Sequence, residues 1–317
     1  MSYAIGIDLG GTSIKSVAVT GKGKLLAQAR QEFDAGEPMK WAEKVRDIVA
    51  QIQSEQGAFA NWIGLSAPGV AARDGMSIAH LPGRLKGLEN LNWTKFLQSK
   101  KPVPVLNDAH SALLGESWLG AARGFQNVIL LTLGTGVGGA ILIEGKLLRG
   151  ATGRAGHLGH TCLNPKGSAD IVGMPGSLEN EIGNCTIAER SKGRFLTTHD
   201  LMSAHVAGDA GATDIWLTSV HALACAIASF INILDPEVVI IGGGISQGGA
   251  ALFDPLEKYL DEMEWRPGGH RAKIVPAVLG DFSGALGAAH HAIRQTGMKT
   301  GSGEWRVDFV PFIHRTE

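Results

Sequence analysis

One pattern constrains the fold of this chain more than any other: a strand, a turn of glycine and threonine, and a second strand occur twice. The first copy starts at Tyr3 and passes through Asp8 into the turn residues Gly10, Gly11 and Thr12. The second copy has the turn residues Gly134, Thr135 and Gly136 after an apolar strand at 128–133. A repeated strand-turn-strand unit predicts two like domains, each of which contains one such hairpin.

Both turns are predicted to contact phosphate. Glycine adopts φ angles that are closed to other residues, so backbone N–H groups in these turns can approach an anion closely. In the first copy Thr12 adds a hydroxyl and Lys15 adds a positive charge. An ordinary hairpin turn is a simpler explanation of a glycine pair, and the residues of one copy alone leave it open.

A third motif is Asn107-Asp108, where the apolar strand at 103–106 stops and a helix begins. The carboxyl ends of strands are where open α/β sheets place their ligands, so a carboxylate here is a candidate for chemistry. Asn and Asp are also favoured at helix N-termini for structural reasons alone. Helix capping therefore stays open as the second explanation.

A fourth motif is the run of Gly242, Gly243 and Gly244 after the apolar, β-branched stretch at 238–241. Such a stretch is typical of a strand in a sheet covered on both faces. The glycines at its end predict a loop open to a flat ligand such as a nucleotide base and ribose. A plain glycine turn is the alternative. Helical periodicity between the strands predicts an α/β fold with mixed sheets.

Composition excludes several classes of protein. The chain has 317 residues, a formal net charge of −1 and three cysteines. This charge predicts no nucleic-acid partner and no membrane partner, and the cysteines have neither the density nor the pairing of a disulfide framework. No signal-peptide pattern is present and no uninterrupted apolar run approaches about 20 residues. We therefore expect a cytoplasmic protein.

Taken in order along the chain, the four motifs resemble those of the ROK family of sugar kinases and sugar-responsive repressors. The resemblance implies a two-domain actin-like ATPase (ribonuclease H-like) sugar kinase fold with a central cleft. It implies an N-terminal domain at 1–110, a C-terminal domain at 111–317, and a helix at 284–295 that packs back on the first domain. ATP, Mg²⁺ and a homodimer are implied as well.

The resemblance also implies roles for individual residues. Asp108 would be the catalytic base, and Asp8 would hold Mg²⁺ through water. Sugar-side positions would be Asn107, His157, His160, Glu179 and His80. Phosphate and adenosine contacts would come from Gly10, Gly11, Thr12, Lys15, Gly134, Thr135, Gly136, Gly242, Gly243 and Gly244. A carboxylate suits the role of base because phosphoryl transfer needs an aligned hydroxyl and an acceptor for its proton.

This chain departs from the family at its sugar motif and its zinc loop. The family has Glu-x-Gly-His where this chain has His157-Leu158-Gly159-His160, and the family's three loop cysteines are replaced by Asp170, Val172 and Ser177. A tetrahedral zinc site needs four N, S or O donors and valine offers none, so we expect no structural zinc. Hydrogen-bonded histidines are favoured over a residual metal site.

The same departures leave the identity of the sugar substrate undetermined. A neutral imidazole at His157 has one donor and one acceptor, whereas a glutamate only accepts, so either the recognised hydroxyl pattern changes or the contact is lost. His80 stands where the family often has Asn, and a structural role in its loop is equally compatible with it. Glucose therefore cannot be assumed as the substrate.

The leading hypothesis is an ATP-dependent kinase for the terminal hydroxyl of a hexose. Alternatives are a sugar-binding sensor with weak or no catalysis, and a polyphosphate-dependent glucokinase. A repressor is not expected, because only seven residues precede Asp8 and a DNA-binding module needs more. No function is assigned to residues 298–317, in which 305–309 alternate like a strand.

Overall fold

The computed structural model describes residues 2–34 and 36–297, and within it the chain divides into two compact units. The first unit comprises Met1–Leu106 together with the residues that begin at Ala288, and the second comprises Asn107–Gly287. The sequence prediction placed the boundary after residue 110. The predicted strand-like segment at 305–309 lies outside the described residues.

The first unit is built on a five-stranded sheet. Its elements are β1 Tyr3–Leu9, β2 Ser13–Thr20, β3 Leu25–Glu32, α1 Lys40–Glu55, β4 Trp62–Ala67, β5 Val70–Ala71, β6 Ile78–His80, α2 Trp93–Phe96 and β7 Val105–Asn107. The strand order is β3-β2-β1-β4-β7, with β1 antiparallel to β2 and parallel to β4. The apolar stripe of α1, from Trp41 to Ile52, is buried in this unit's core, as its periodicity predicts.

The second unit repeats this arrangement with more helices. Its elements are α3 Asp108–Leu119, β8 Val128–Leu133, β9 Val137–Ile143, β10 Lys146–Leu147, α4 Leu178–Ile182, α5 Ile187–Arg190, α6 Thr198–Val206, α7 Ala210–Leu234, β11 Val238–Gly242, α8 Ala250–Met263, β12 Lys273–Pro276 and the start of α9 Ser283–Gly297. The sheet order is β10-β9-β8-β11-β12, again with an antiparallel hairpin followed by parallel strands. Both units therefore share one sheet topology.

Helix α7 forms much of the second unit's core. Trp216, Val220, Leu223 and Ile227 are fully buried along one of its faces. Among the described residues it is the one helix long and apolar enough to cross a membrane, judged by length and composition only. A buried core helix has the same composition, so this likeness is weak evidence for a membrane span.

The part of α9 that belongs to the first unit packs closely on β4. A Cβ atom added to Gly64 would overlap the carbonyl group of Ala288 and would touch the side chain of Ala292. Only glycine admits this approach between strand and helix, which gives Gly64 a packing role. The sequence resemblance implies a contact of this kind for the final helix.

Candidate functional site

The first loop consists of Gly10, Gly11 and Thr12. It follows the end of β1, where polar and charged side chains from three neighbouring strands lie side by side. Asp8 on β1 lies opposite Lys15 on β2 and Ser66 on β4. The Ser66 hydroxyl donates to Asp8 Oδ1 at 2.7 Å, and Lys15 Nζ lies 3.6 Å from Asp8 Oδ2. The Asp8 carboxylate is thus buried, oriented by a hydroxyl and neutralised by an ammonium group.

Lys15 is therefore placed beside the predicted magnesium ligand. Residues opposite each other in an antiparallel pair bring their side chains together, which is why the two charges meet. The sequence analysis treated Lys15 as a phosphate contact, and that role stays a prediction. What the structure adds is a partner for Asp8.

The glycines of the first loop do not adopt the φ angles expected of them, and their phosphate contact stays a prediction. Neither Gly10 nor Gly11 has a φ angle in the left-handed region, so the conformational argument was wrong for this loop. Gly10 instead donates its N–H to the Ser13 carbonyl at 2.9 Å, and a Cβ on Gly10 would lie 3.1 Å from that oxygen. A Cβ on Gly11 would lie 3.4 Å from the guanidinium of Arg84, which sequence reasoning missed.

The second loop, Gly134, Thr135 and Gly136, is held by a segment that follows it in the chain. Asn184 N–H donates to the Gly134 carbonyl at 3.0 Å, and Cys185 N–H donates to the Thr135 carbonyl at 2.7 Å. Glu179 Oε2 accepts the Val137 N–H at 2.9 Å, just beyond the loop. The loop is therefore fixed by contacts that are distant in sequence.

Glu179 lies directly against this loop. A Cβ atom on Gly136 would overlap the Glu179 carboxylate, so a larger residue there would displace that carboxylate. The sequence analysis expected Glu179 on the sugar side only. Its contact with Val137 gives one of its two oxygens a structural task in addition.

The second loop also lines a cavity of about 720 Å³ within the second unit. Gly244, from the predicted adenosine loop, lines the same cavity with Gly134 and Thr135. Gly243 has a φ of 85° and its added Cβ would overlap the Leu133 backbone, so it packs under β8. Two loops separated by about a hundred residues in sequence therefore meet at one concave site, as ligand pockets require.

Sequence reasoning missed the remaining lining of this cavity. It comes mainly from α6 and the residues around it: Asn184, Thr197, Thr198, His199, Met202 and Ser203. One signal was present, because Thr197 accepts the Asp200 N–H at 3.1 Å and a Thr-x-x-Asp pattern marks a helix start. That signal locates the helix but not the cavity.

Asn107 and Asp108 occupy the N-terminus of α3. Asn107 Oδ1 accepts the N–H groups of Ala109 and His110 at 3.0 and 3.3 Å, so the capping explanation is confirmed for this side chain. Asp108 stands one residue further on, is exposed, and accepts the Ala109 N–H at 2.8 Å. A carboxylate at a helix N-terminus is favoured in its charged form by the helix dipole. The role of Asp108 as a base stays a prediction.

The N–H group of the neutral His157 ring is bonded to a backbone carbonyl of the same segment. Its Nδ1 lies 3.0 Å from the Arg154 carbonyl, which can only accept, so Nδ1 carries the hydrogen. Burial lowers the pKa of His157, against the raising effect of the Arg154 hydrogen bond, which favours the neutral ring. Nε2 of that neutral ring is an acceptor. An acceptor at Nε2 is what a glutamate oxygen would also offer, and a sugar contact for His157 stays a prediction.

His110 is a buried neighbour that the sequence analysis did not select. Its Nε2 lies 2.9 Å from the Ala155 carbonyl, and its ring stands edge-on to that of His157 with centroids 6.2 Å apart. Burial lowers the pKa of His110 to about 4, with smaller contributions from His157 and Arg149. A neutral His110 therefore ties the start of α3 to the segment that carries His157.

His160 is paired with Asp170 through Nδ1 and Oδ2 at 2.8 Å. Burial alone would raise the pKa of Asp170, but hydrogen bonds from His160, Met174, Ser177 and Val172 outweigh it and hold this pKa below its ordinary value. His80, on β6, is exposed, with its Nδ1 3.7 Å from Glu89 Oε1. A sugar contact for His80 stays a prediction.

The arrangement matches known proteins across nearly the whole chain. A family model described as the ROK family matches residues 4–295. A glucokinase of Thermotoga maritima is 33% identical over 306 residues, which cover 90% of this chain and 95% of that protein. A ROK hexokinase structure from Thermus thermophilus has a TM-score of 0.80 at 30% identity and covers 93% of this chain and 99% of that one.

A second solved structure extends the likeness to a liganded protein. A ROK family glucokinase from Streptomyces griseus, in complex with glucose and AMPPNP, has a TM-score of 0.74 at 25% identity and covers 92% of this chain and 100% of that one. These likenesses confirm the predicted α/β fold of the actin-like ATPase (ribonuclease H-like) sugar kinases.

Proposed function

This chain belongs to the ROK family, and we propose that it is an ATP-dependent sugar kinase that phosphorylates the terminal hydroxyl of a hexose. The observation that carries the proposal is the cavity of the second unit, where the second loop and Gly244 line one space. Its volume of about 720 Å³ lies within the range of about 300–1,000 Å³ found for small-molecule pockets.

In this proposal the adenosine occupies that cavity, with its base and ribose against Gly244 and the α6 residues. The phosphates extend to Gly134 and Thr135, whose carbonyls are already bonded to Asn184 and Cys185. Carbonyl groups held in this way cannot turn toward an anion. Because the Gly134 N–H already donates to the Gly136 carbonyl at 2.9 Å, the N–H groups of Thr135 and Gly136 would meet the phosphate. The loop is thus arranged before the nucleotide binds.

Asp8 fits the role of magnesium ligand. Mg²⁺ retains several waters and needs only one or two carboxylates, and Asp8 supplies one that is oriented by Ser66. When bound, the cation would neutralise charge on the transferred phosphoryl group. Lys15, 3.6 Å from Asp8, balances the buried carboxylate in the absence of a cation.

Asp108 would orient the sugar hydroxyl and accept its proton. The hydroxyl oxygen forms a bond to the γ-phosphorus, the bond from that phosphorus to the β–γ bridging oxygen breaks, and ADP leaves with the electron pair. His157 would accept a sugar hydroxyl hydrogen at Nε2, and Glu179 would accept another at the oxygen that does not bond Val137. Asn107, His160 and His80 complete the proposed sugar side.

The proposal is tested by ADP release on a panel of hexoses and N-acetylhexosamines, with ATP and then polyphosphate as donor. We expect turnover with ATP and Mg²⁺ on at least one sugar. Turnover with polyphosphate but not with ATP would mean that polyphosphate is the phosphate donor. Sugar binding by calorimetry without turnover on any sugar would contradict the kinase and favour a sensor.

We also propose that the chain is cytoplasmic and forms a homodimer, as the family resemblance implies. Light scattering after size-exclusion chromatography tests the dimer directly. A single species at the mass of one chain, 33.3 kDa, would contradict it.

A further inference from the structure

The loop that stands where the sequence resemblance implies a zinc loop contains one buried carboxylate, Asp170. Asp170, Val172 and Ser177 stand at the three positions of the family's cysteines. Val172 has no donor atom, and Nδ1 of His160 is already bonded to Asp170. Within residues 2–34 and 36–297 no group of three or more His, Cys, Asp or Glu side chains could hold a metal ion. The residues present do not fit zinc.

The Asp170 side chain is fully buried, and both of its oxygens accept hydrogen bonds. Oδ1 accepts the N–H groups of Val172 and Met174, each at 2.9 Å. Oδ2 accepts from His160 Nδ1 at 2.8 Å, and the nearby Ser177 side chain helps to lower the pKa of the carboxyl. A buried carboxylate with this many donors is compensated for the loss of water.

Apolar packing does not explain the order of this loop. Ile171 is 82% exposed, Val172 is 63% exposed and Met174 is 37% exposed. Side chains this exposed contribute little burial free energy. The loop is held by polar contacts: the side-chain contacts converge on Asp170, and backbone bonds join Gly176 to Ser168 and Leu163.

Asp170 also joins the two segments that carry sugar-side residues. His160 ends the 3₁₀ turn Leu158–His160, which begins beside His157. Ser177 is the N-cap of α4, the helix that carries Glu179. One carboxylate therefore lies between the two segments, bonded to His160 and close to the Ser177 side chain.

We propose that Asp170 organises the loop at 170–177, so that this loop is ordered without metal. Asp170 is a positioning residue: it fixes His160 with its hydrogen on Nδ1 and anchors the start of α4. Its consequence for sugar binding rests on the proposed function. Its consequence for loop order does not.

The first experiment measures amide hydrogen exchange of the peptide at 170–177 in the unmodified protein, before and after dialysis against a chelator. We expect unchanged exchange, an unchanged melting temperature and less than one equivalent of zinc per chain by elemental analysis. Faster exchange after chelation, or one tightly held zinc per chain, would overturn the proposal. No variant is needed for this measurement.

The second experiment compares Asp170→Asn with Asp209→Asn, a control that weakens an N-cap and ion pair elsewhere in the same unit. Asn cannot accept all the donors that Asp170 accepts, so we expect exchange at 170–177 to rise at least about tenfold in Asp170→Asn only. The same exchange in both variants would overturn the proposal. If Asp170→Asn does not fold, His160→Gln removes one donor and should raise exchange by a smaller factor, and no rise would overturn it.

Steady-state kinetics distinguish a positioning role of Asp170 from a role in stability alone. Asp170→Asn should raise the sugar KM several-fold and the ATP KM by less, because the segments beside the loop carry His157 and Glu179, whereas the second phosphate loop is affected only indirectly, through the contact of Glu179 with Val137. Equal changes in both constants would overturn the positioning role. If no sugar is turned over by the unmodified protein, the proposed function fails, and the exchange experiments still decide whether Asp170 orders the loop.

Discussion

The two units have the same sheet topology, yet they differ in the residues that lie side by side across neighbouring strands just before each loop. These residues are polar or charged in the first unit and mostly glycine in the second. In the first unit the row is Arg30, Lys15, Asp8 and Ser66, all polar or charged. In the second unit the position of Asp8 is taken by Thr132, which lies opposite Gly138 and Gly242. One scaffold therefore presents charge in the first unit and bare backbone in the second.

The loops are also held differently. The first loop follows a carboxylate fixed by its own neighbouring strands, through Ser66 and Lys15. The second loop is held by Glu179, Asn184 and Cys185, which lie 40 or more positions further along the chain. We infer that the first loop is a rigid part of its sheet, whereas the position of the second depends on the segment that carries the sugar side.

The largest effect is expected at the one exposed carboxylate of the second unit's site, Asp108. Asp108→Asn keeps the hydrogen bond to Ala109 but removes the proton acceptor, so turnover should fall at least about 100-fold while sugar binding is retained. Turnover measured with saturating substrates and calorimetry of sugar binding check this. Near-normal turnover would leave Asp108 as a helix-start residue only.

The comparison of the two rows predicts unequal effects at equivalent positions. Asp8→Asn keeps an acceptor for Ser66 but loses the charge, so kcat/KM should fall about 100- to 1,000-fold. Thr132→Val, at the matching register position, loses no charge and should stay within about threefold. Steady-state kinetics at several Mg²⁺ concentrations test the pair. Similar losses in both variants would break the comparison.

Much of the scaffold could be predicted from sequence, because strand periodicity and turn residues are local signals. The hairpins around Asp8 and after Leu133, and the apolar strands at 103–106, 128–133 and 238–241, were predicted from such patterns. The anchors of the second loop could not be, since they are backbone contacts between distant segments. No spacing indicates that Asn184 bonds Gly134.

The individual site residues were harder to interpret for physical reasons. Asn and Asp serve helix caps and chemistry with the same atoms, so the motif at Asn107 stayed ambiguous until its cap contacts were seen. The acceptor state of His157 depends on the Arg154 carbonyl, which no sequence pattern reveals. The glycines of the first loop were predicted correctly as a turn but for the wrong reason.

Each unit also contains a histidine whose pKa burial lowers to about 4: His110 in the second and His290 in the first. Between the ordinary pKa of about 6.5 and about 4, the unfolded chain binds a proton at His110 that the folded chain does not, so the free energy of unfolding falls as pH falls through this window. For His110, which is almost fully buried, the loss at pH 4 is about 3 kcal/mol.

Replacing His110 by Asn should therefore reduce the loss of stability on going from pH 7 to pH 4. Urea unfolding at a series of pH values, with His290→Asn as the matched variant of the first unit, measures the two contributions. His157 and Arg149 lie near His110, whereas Arg294 lies near His290. An unchanged pH dependence in His110→Asn would mean that this ring is protonated in the folded protein.

The smallest effect tests whether the second loop depends on the sugar side. In Glu179→Gln the amide oxygen can still accept the Val137 N–H, but the amide nitrogen cannot accept a hydroxyl hydrogen. The sugar KM should rise about tenfold while the ATP KM changes by less than about threefold.

Gly136→Ala is the informative partner, because its Cβ would displace the Glu179 carboxylate and with it the loop, so that both KM values rise. If Glu179→Gln raised the ATP KM as much as the sugar KM, the Val137 contact would depend on the full carboxylate charge. If Gly136→Ala changed neither, Glu179 would not fix the loop, and the second unit would hold its loop within its own sheet as the first unit does.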